Sequence, residues 1–334
     1  MIEPKLLLLG GNRGNWSAKD RLGEASTMNG IEAWVYAFNG NYAEGPTAQS
    51  KDLIGYDIII ANTNHPLDHL LHLAESRPAG TKWVTLIEGD ALDYLKPQPY
   101  IRELLDCSDL VGCINKYSGD FFKRFTKTRA EYIGIPYPAE GIRALSTPVG
   151  NRRKEIFLAP MLLSRWAEYF CAKDLGVPLY GYERRLTRNK RTIVKTLRKH
   201  RTIDPWHFHK KVRTLFQETE FSVFRDETLP DFFRRNGGAY LWLNLDQRYT
   251  WGRYVLDAAA LQMPIIATRS TGHAEDFFPS TMVEHEFDIE KARDLIVRLL
   301  SDKDFYTEVS TIPLEKFDHL KPEVKKTQLL NFLY

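Results

Sequence analysis

The chain reads as an α/β protein built from two doubly wound lobes that face each other across a cleft, and three observations predict it. Its 334 residues are about twice the ~150-residue prior for one domain. Short, mostly apolar runs alternate with helix-compatible segments, which is the rhythm of βαβ units and a parallel sheet. That rhythm stops once, at a proline- and glycine-bearing stretch, and then restarts. With 43% apolar and 12% aromatic residues the chain can fill two cores, which excludes disordered and fibrous classes.

The first run, Lys5 to Leu9, ends in Gly10-Gly11-Asn12-Arg13-Gly14-Asn15-Trp16, the pattern of a buried parallel strand delivered into a glycine-rich loop. Strands are expected next at Ala33 to Phe38, Asp57 to Ala61, Trp83 to Ile87, Leu110 to Ile114 and Glu131 to Ile135, with helices at Leu67 to Glu75 and Ser118 to Phe125. Residues 1–138 therefore form a first Rossmann-like lobe. Pro136, Pro138 and Pro148, with Gly141 and Gly150, mark a linker over 139–152. The second lobe, 153–312, carries strands at Glu155 to Ala159, Val177 to Tyr180, Phe221 to Phe224, Ala239 to Leu243 and Pro264 to Thr268. Its helices are expected at Ser164 to Asp174, Trp251 to Gln262 and Asp288 to Leu300, the last with Ile289, Ala292, Leu295, Ile296 and Leu299 on one stripe. A closing helical segment, 313–334, includes a helix near Pro322 to Phe332. Ligands of such sheets bind at the strand C-termini, so the default site is the cleft between the lobes.

The formal charge of +3 hides a local imbalance. Positions 184–213 hold twelve Lys or Arg and one acid, Asp204, so this stretch is +11, while the rest carries 34 basic and 42 acidic residues, or −8. Cys107, Cys113 and Cys171 have no metal-ligand spacing and cannot form an even disulfide framework, which fits a reducing, cytoplasmic setting. No apolar run approaches the ~18 residues of a membrane span, and MIEPKLLLLGG meets charge and glycine too early for a signal peptide.

Tyr249-Thr250-Trp251-Gly252-Arg253-Tyr254-Val255-Leu256-Asp257, followed by Pro264 to Thr268, is the most informative stretch. A strand leads into a glycine turn and a helix opens there. Its exposed N-terminus offers unpaired N–H groups and a positive dipole end suited to a diphosphate. Asp257 lies one to two turns in, where a carboxylate can accept hydrogen bonds from ribose hydroxyls. The stretch resembles the C-terminal lobe of the GT-B glycosyltransferases, especially the retaining nucleotide-sugar enzymes with a paired-glutamate motif. Ile265 to Glu275, with Gly272 and His273 before the acid, and Asp288 to Lys303 resemble that lobe's following strand, glycine-bearing acidic loop and closing helix. The likeness spans about residues 229–310.

The resemblance implies a two-lobe GT-B fold and transfer of a sugar from a nucleotide diphosphate, a UDP-sugar favoured, to an acceptor hydroxyl without a required metal. It places Asp257 on the second glutamate, which holds the ribose, and Tyr249 where the first glutamate touches the transferred sugar. Arg165 resembles a basic residue set against the donor diphosphate. Donor-site expectations are thus Arg165, Tyr249, Thr250, Trp251, Gly252, Arg253, Tyr254, Asp257 and Glu275. His65, Glu88 and Asp90 follow predicted strands of the first lobe and are candidates for the base that deprotonates an acceptor if the enzyme inverts configuration; helix capping is the alternative for Asp90, and a satisfied loop histidine for His65.

Arg184, Arg185, Arg188, Lys190, Arg191, Lys195, Arg198 and Lys199 surround the apolar stripe Ile193, Val194 and Leu197, so a helix there would carry its charge outward. Such a surface attracts a polyanion. Nucleic acid, anionic lipid and an acidic glycan all fit, with nucleic acid ranked first, since GT-B enzymes include phage glucosyltransferases that modify hydroxymethylated DNA bases. The alternatives are a transferase acting on lipid or cell-surface glycan, and a polyanion-binding protein on a degenerate transferase scaffold. Oligomeric state stays open.

Overall fold

The computed structural model describes residues 3–89, 98–159, 165–182, 221–224 and 228–334. The first sheet consists of β1 (Leu6–Gly10), β2 (Trp16–Ser17), β3 (Asn41–Glu44), β4 (Ile58–Asn62), β5 (Lys82–Ile87), β6 (Leu110–Cys113) and β7 (Ala130–Tyr132), in the order β2-β3-β1-β4-β5-β6-β7. Every pairing is parallel except β2 with β3. Parallel strands are covered on both faces, which is why Leu6–Leu9 and Ile58–Ile60 are continuously apolar and buried. Alternate side chains divide between the faces. Leu6, Leu8, Ile58 and Ile60 meet Trp34, Val35 and Phe38 on one side, while Leu7, Leu9 and Ile59 meet Leu70 and Leu73 of the helix Leu67–Glu75 on the other.

The expected strand at Ala33 to Phe38 is a helix, Ala33–Ala37, and the strand at that point is β3. A short run that is apolar at every position has no period to tell helix from strand. Phe38 leads into Asn39, whose φ of 48° turns the chain before β3, and Gly40, where a Cβ would lie 2.6 Å from the Leu6 carbonyl oxygen.

The second sheet comprises β8 (Ile156–Leu158), β9 (Leu179–Tyr182), β10 (Phe221–Phe224), β11 (Leu241–Asn244), β12 (Ile265–Thr268) and β13 (Met282–Val283), ordered β10-β9-β8-β11-β12-β13 and wholly parallel. The strand order reverses between β8 and β11 here, and between β1 and β4 in the first sheet. These are the switch points at which doubly wound sheets bind ligands.

Two further features hold the lobes in place. The helix Pro322–Leu333 returns to the first lobe, packs on Ala33–Ala37 and buries Leu329 and Leu333 in its core. The segment expected as linker includes the helix Ala139–Arg143, which packs against the helix Arg253–Ala260. Gly141 lies where a side chain would strike the Ser26 carbonyl of the first lobe. Arg143 donates to the carbonyls of Ala259 and Ala260, and Arg152 to those of Leu261 and Gln262. Two guanidiniums thus complement the negative C-terminal end of that helix. Among the described residues, no helix is long and apolar enough to cross a membrane.

Candidate active site

On the second-lobe wall, β11 runs out to Asp246, whose backbone carbonyl accepts from the hydroxyls of Thr268 and Ser270, both at 2.5 Å. Its buried carboxylate pairs with Arg248 at 3.1 Å. The loop continues in register with the segment after β12: Thr250 N–H donates to the Ser270 carbonyl at 3.2 Å and Gly272 N–H to the Thr250 carbonyl at 3.0 Å. Gly252 then caps the helix Arg253–Ala260 with φ 80°, a left-handed conformation, and a Cβ there would run into the Gly272 carbonyl. The glycine is therefore required by the approach of two backbones at the root of the helix.

The remaining donor-side expectations are distributed around this turn. Tyr249 is exposed and its ring lies 4.7 Å from that of Tyr117, on the first lobe. Asn115 caps the helix Lys116–Phe125 through its side-chain oxygen, while its amide reaches across to the Thr250 carbonyl at 2.7 Å. Trp251 packs against the cores of both lobes. Tyr254 turns inward, 6.4 to 6.5 Å from the rings of Phe157, Phe232 and Trp242. Glu275 lies outside on the helix Ala274–Phe277 and pairs with Arg269 at 3.3 Å. Arg165 opens the helix Arg165–Ala172 after β8, but its side chain lies outside the described residues.

Asp257 is fully buried, and its carboxylate is occupied. Asn29 Nδ2 donates to both oxygens at 2.8 and 2.9 Å, the Tyr137 hydroxyl donates to Oδ1 at 2.6 Å, and Arg253 Nε stands 3.7 Å from Oδ2. Burial raises its pKa, while Arg253 and the two donors act in the opposite direction. In this arrangement a ribose reaches the carboxylate only if Asn29 and Tyr137 withdraw.

On the first-lobe wall, the Gly11–Asn15 loop is fastened from two sides. The Tyr42 hydroxyl donates to the Gly11 carbonyl, Gly14 N–H donates to Glu44, and Asn15 accepts from Glu44 N–H. Beside it, at the ends of β4 and β5, Asn62 and Asn64 both donate to Glu88 Oε2 at 2.6 Å. Among the described residues nothing donates to Oε1. His65 is half-buried against Gly45 and near the Gly10 carbonyl, and burial lowers its pKa. Asp90 lies outside the described residues, as do Arg184, Arg185, Arg188, Lys190, Arg191, Lys195, Arg198 and Lys199. The residues that sequence reading missed are Asn29, Asn115, Tyr117 and Tyr137. Only Asn115 carries a local signal, as an Asn immediately before a helix. Among the described residues no group of three or more His, Cys, Asp or Glu converges as a metal site.

No protein-family model matches the chain, and no curated protein matches it in sequence. Solved structures do match. An alpha,alpha-trehalose 6-phosphate synthase from Burkholderia multivorans superposes with a TM-score of 0.69 at 12% identity, covering 99% of this chain and 96% of that one. A UDP-forming synthase of the same kind from Burkholderia xenovorans gives 0.65 at 13%, covering 99% of each. An alpha-glucosyltransferase in complex with UDP and a 13-mer DNA containing a HMU base gives 0.61 at 11%, again over 99% of each. These likenesses span whole chains, and this chain has the GT-B fold.

Proposed function

We propose that the chain is a glycosyltransferase that moves a sugar from a nucleoside-diphosphate sugar to an acceptor hydroxyl. One observation carries the reading: left-handed Gly252 starts the helix Arg253–Ala260 in the segment that follows β11, one of the two strands at the switch point of a wholly parallel sheet. The helix dipole and first N–H groups suit a diphosphate. Charge grows on that diphosphate as the glycosidic bond breaks, so the helix end, with Arg253 and Arg165, stabilises the transition state more than the ground state. Thr250 and Trp251 shape the floor and Tyr249 borders the transferred sugar. A UDP-sugar is the favoured donor, because the DNA alpha-glucosyltransferase was solved with UDP and with UDP-glucose. This scheme uses no metal.

The acceptor enters along the first lobe. If transfer inverts configuration, Glu88 is the best-placed base, since Asn62 and Asn64 orient it through one oxygen and, among the described residues, leave the other for an acceptor hydroxyl. The +11 stretch at 184–213 favours a polyanionic acceptor, and DNA ranks first because a DNA glucosyltransferase shares the fold over its whole length. A second reading, a polyanion-binding protein on a transferase scaffold, is favoured by Tyr249 at the position where the resemblance puts an acid.

Calorimetry with UDP-, GDP- and ADP-sugars tests the donor, and mass spectrometry of DNA with and without hydroxymethylated bases, beside lipid and glycan acceptors, tests transfer. Glu88→Gln is expected to keep donor affinity and lower turnover by about 10² or more. Absence of binding to every donor would refute the transferase reading, and donor turnover would exclude the second.

A further inference from the structure

The residues around Asp257 come from three separate parts of the chain. Asn29 belongs to the first lobe, Tyr137 lies just before the helix Ala139–Arg143 and packs in the core of the second lobe, and Asp257 belongs to the helix whose N-terminus forms the proposed donor wall. All three are buried, with Asn29 and Tyr137 1% exposed. Both carboxylate oxygens are used, and Arg253, the first residue of that helix, leans on Oδ2. The surroundings are equally close. The Gly141 backbone abuts the Ser26 carbonyl three residues before Asn29. The Tyr137 ring stacks on Phe317 at 5.7 Å, while its N–H donates to the Leu320 carbonyl on the segment that leads back to the first lobe.

We propose that Asp257 is a positioning residue that sets the angle between the lobes, and does so by clamping Asn29 and Tyr137. It stands where the resemblance puts a ribose ligand, but its carboxylate is spent on the junction. A buried carboxylate is retained only when it is paired and hydrogen-bonded, and here its two hydrogen-bond donors, Asn29 and Tyr137, each tie a different part of the molecule to the donor helix. Lobe closure in a two-lobe enzyme aligns donor with acceptor and excludes water. A clamp at the base of the cleft therefore governs how much of the population is aligned, and catalysis scales with that fraction. Among the described residues, the bonds from Asn115 to Thr250 and from Tyr132 to His273 also cross between the lobes and involve none of these three side chains, so weakening the clamp is expected to loosen the angle without separating the lobes.

The proposal rests on the transferase reading for its kinetic readout but not for its structural one. Four variants test it: Asn29→Ala, Tyr137→Phe, Asp257→Asn, and the exchange Asn29→Asp/Asp257→Asn, which restores an amide facing a carboxylate. For the first three, kcat is expected to fall about tenfold, the effect of losing a hydrogen bond to a charged group, with the Kd for UDP within about twofold of wild type. Small-angle scattering is expected to show a larger radius of gyration at unchanged secondary structure. The exchange is expected to recover most of kcat and the wild-type radius, which a general loss of folding would not allow. The proposal is overturned if Asp257→Asn weakens UDP binding tenfold or more while Asn29→Ala and Tyr137→Phe do nothing, since that is the signature of a ribose ligand. It is overturned equally if no variant changes the radius. Should the wild type bind no nucleotide sugar, the donor reading fails alone, and the scattering of the four variants still decides the clamp.

Discussion

Lys325 shows how far a single residue departs from its surface habit. It lies on the last helix, 2% exposed, with its ammonium 3.0 Å from Gln328 Oε1 and 4.9 Å from the centre of the Tyr132 ring. Burial lowers its pKa to about 8, against ~10.4 in an unfolded chain. Between those values the unfolded chain binds more protons than the native one. Stability from this residue therefore rises with pH from about 8 to ~10.4, and the full penalty of burying the charge stands below pH 8. Lys325→Met is expected to raise the melting temperature at pH 7, with the difference from wild type shrinking as pH climbs through that window. Thermal scans at pH 7, 8, 9 and 10 read it, and a constant difference would refute it. Residues of this kind are illegible in a sequence. Lys325 sits among Lys321, Lys326 and Glu323 like any solvated helix lysine, and only the return of its helix to the first lobe buries it. Gly252 is legible as a turn residue, but its packing partner, Gly272, is not.

Among the elements, the helix Arg253–Ala260 does most to organise the molecule. Its N-terminus faces the proposed donor, its buried alanines let it lie close to the sheet, and Arg143 and Arg152 hold its C-terminal carbonyls. Gly252→Ala is expected to destabilise the protein by about 3 kcal/mol, combining the left-handed backbone with overpacking against Gly272. Chemical denaturation measures this, and a loss below about 1 kcal/mol would mean the Gly272 loop moves freely aside. Periodic or bounded elements are readable from the sequence. Leu67 to Glu75 and Phe221 to Phe224 match the observed bounds, because the first carries a helical stripe and the second is a short apolar run of strand length. The reversal at residues 33–44 arises because neither segment has that information. Ala33 to Phe38 is apolar throughout, and Asn41-Tyr42-Ala43-Glu44 is too polar at its ends to look like a strand inside a sheet.

For the whole molecule, the uneven charge bears on the choice of partner. If the basic stretch meets nucleic acid, affinity must fall with salt through counterion release. Arg184→Ala/Arg185→Ala/Arg188→Ala is expected to weaken DNA binding and to flatten the slope of log K against log salt by up to about 0.9 for each phosphate that is no longer neutralised. Fluorescence anisotropy from about 50 to 200 mM salt, the span over which such neutralisation acts, checks this. An unchanged slope would remove DNA as the partner of that stretch. What the sequence alone determined is the architecture: two parallel α/β lobes, the turn at Gly252 and the uneven charge. Each follows from local pattern, since apolar runs, glycine and charge act over a few neighbouring residues. The tertiary structure alone decided that Asp257 is enclosed by Asn29 and Tyr137 and that Glu88 is held by Asn62 and Asn64. It also decided that the last helix belongs to the first lobe. These pairings join residues up to 228 positions apart, and no local spacing encodes an interaction made only when two lobes meet.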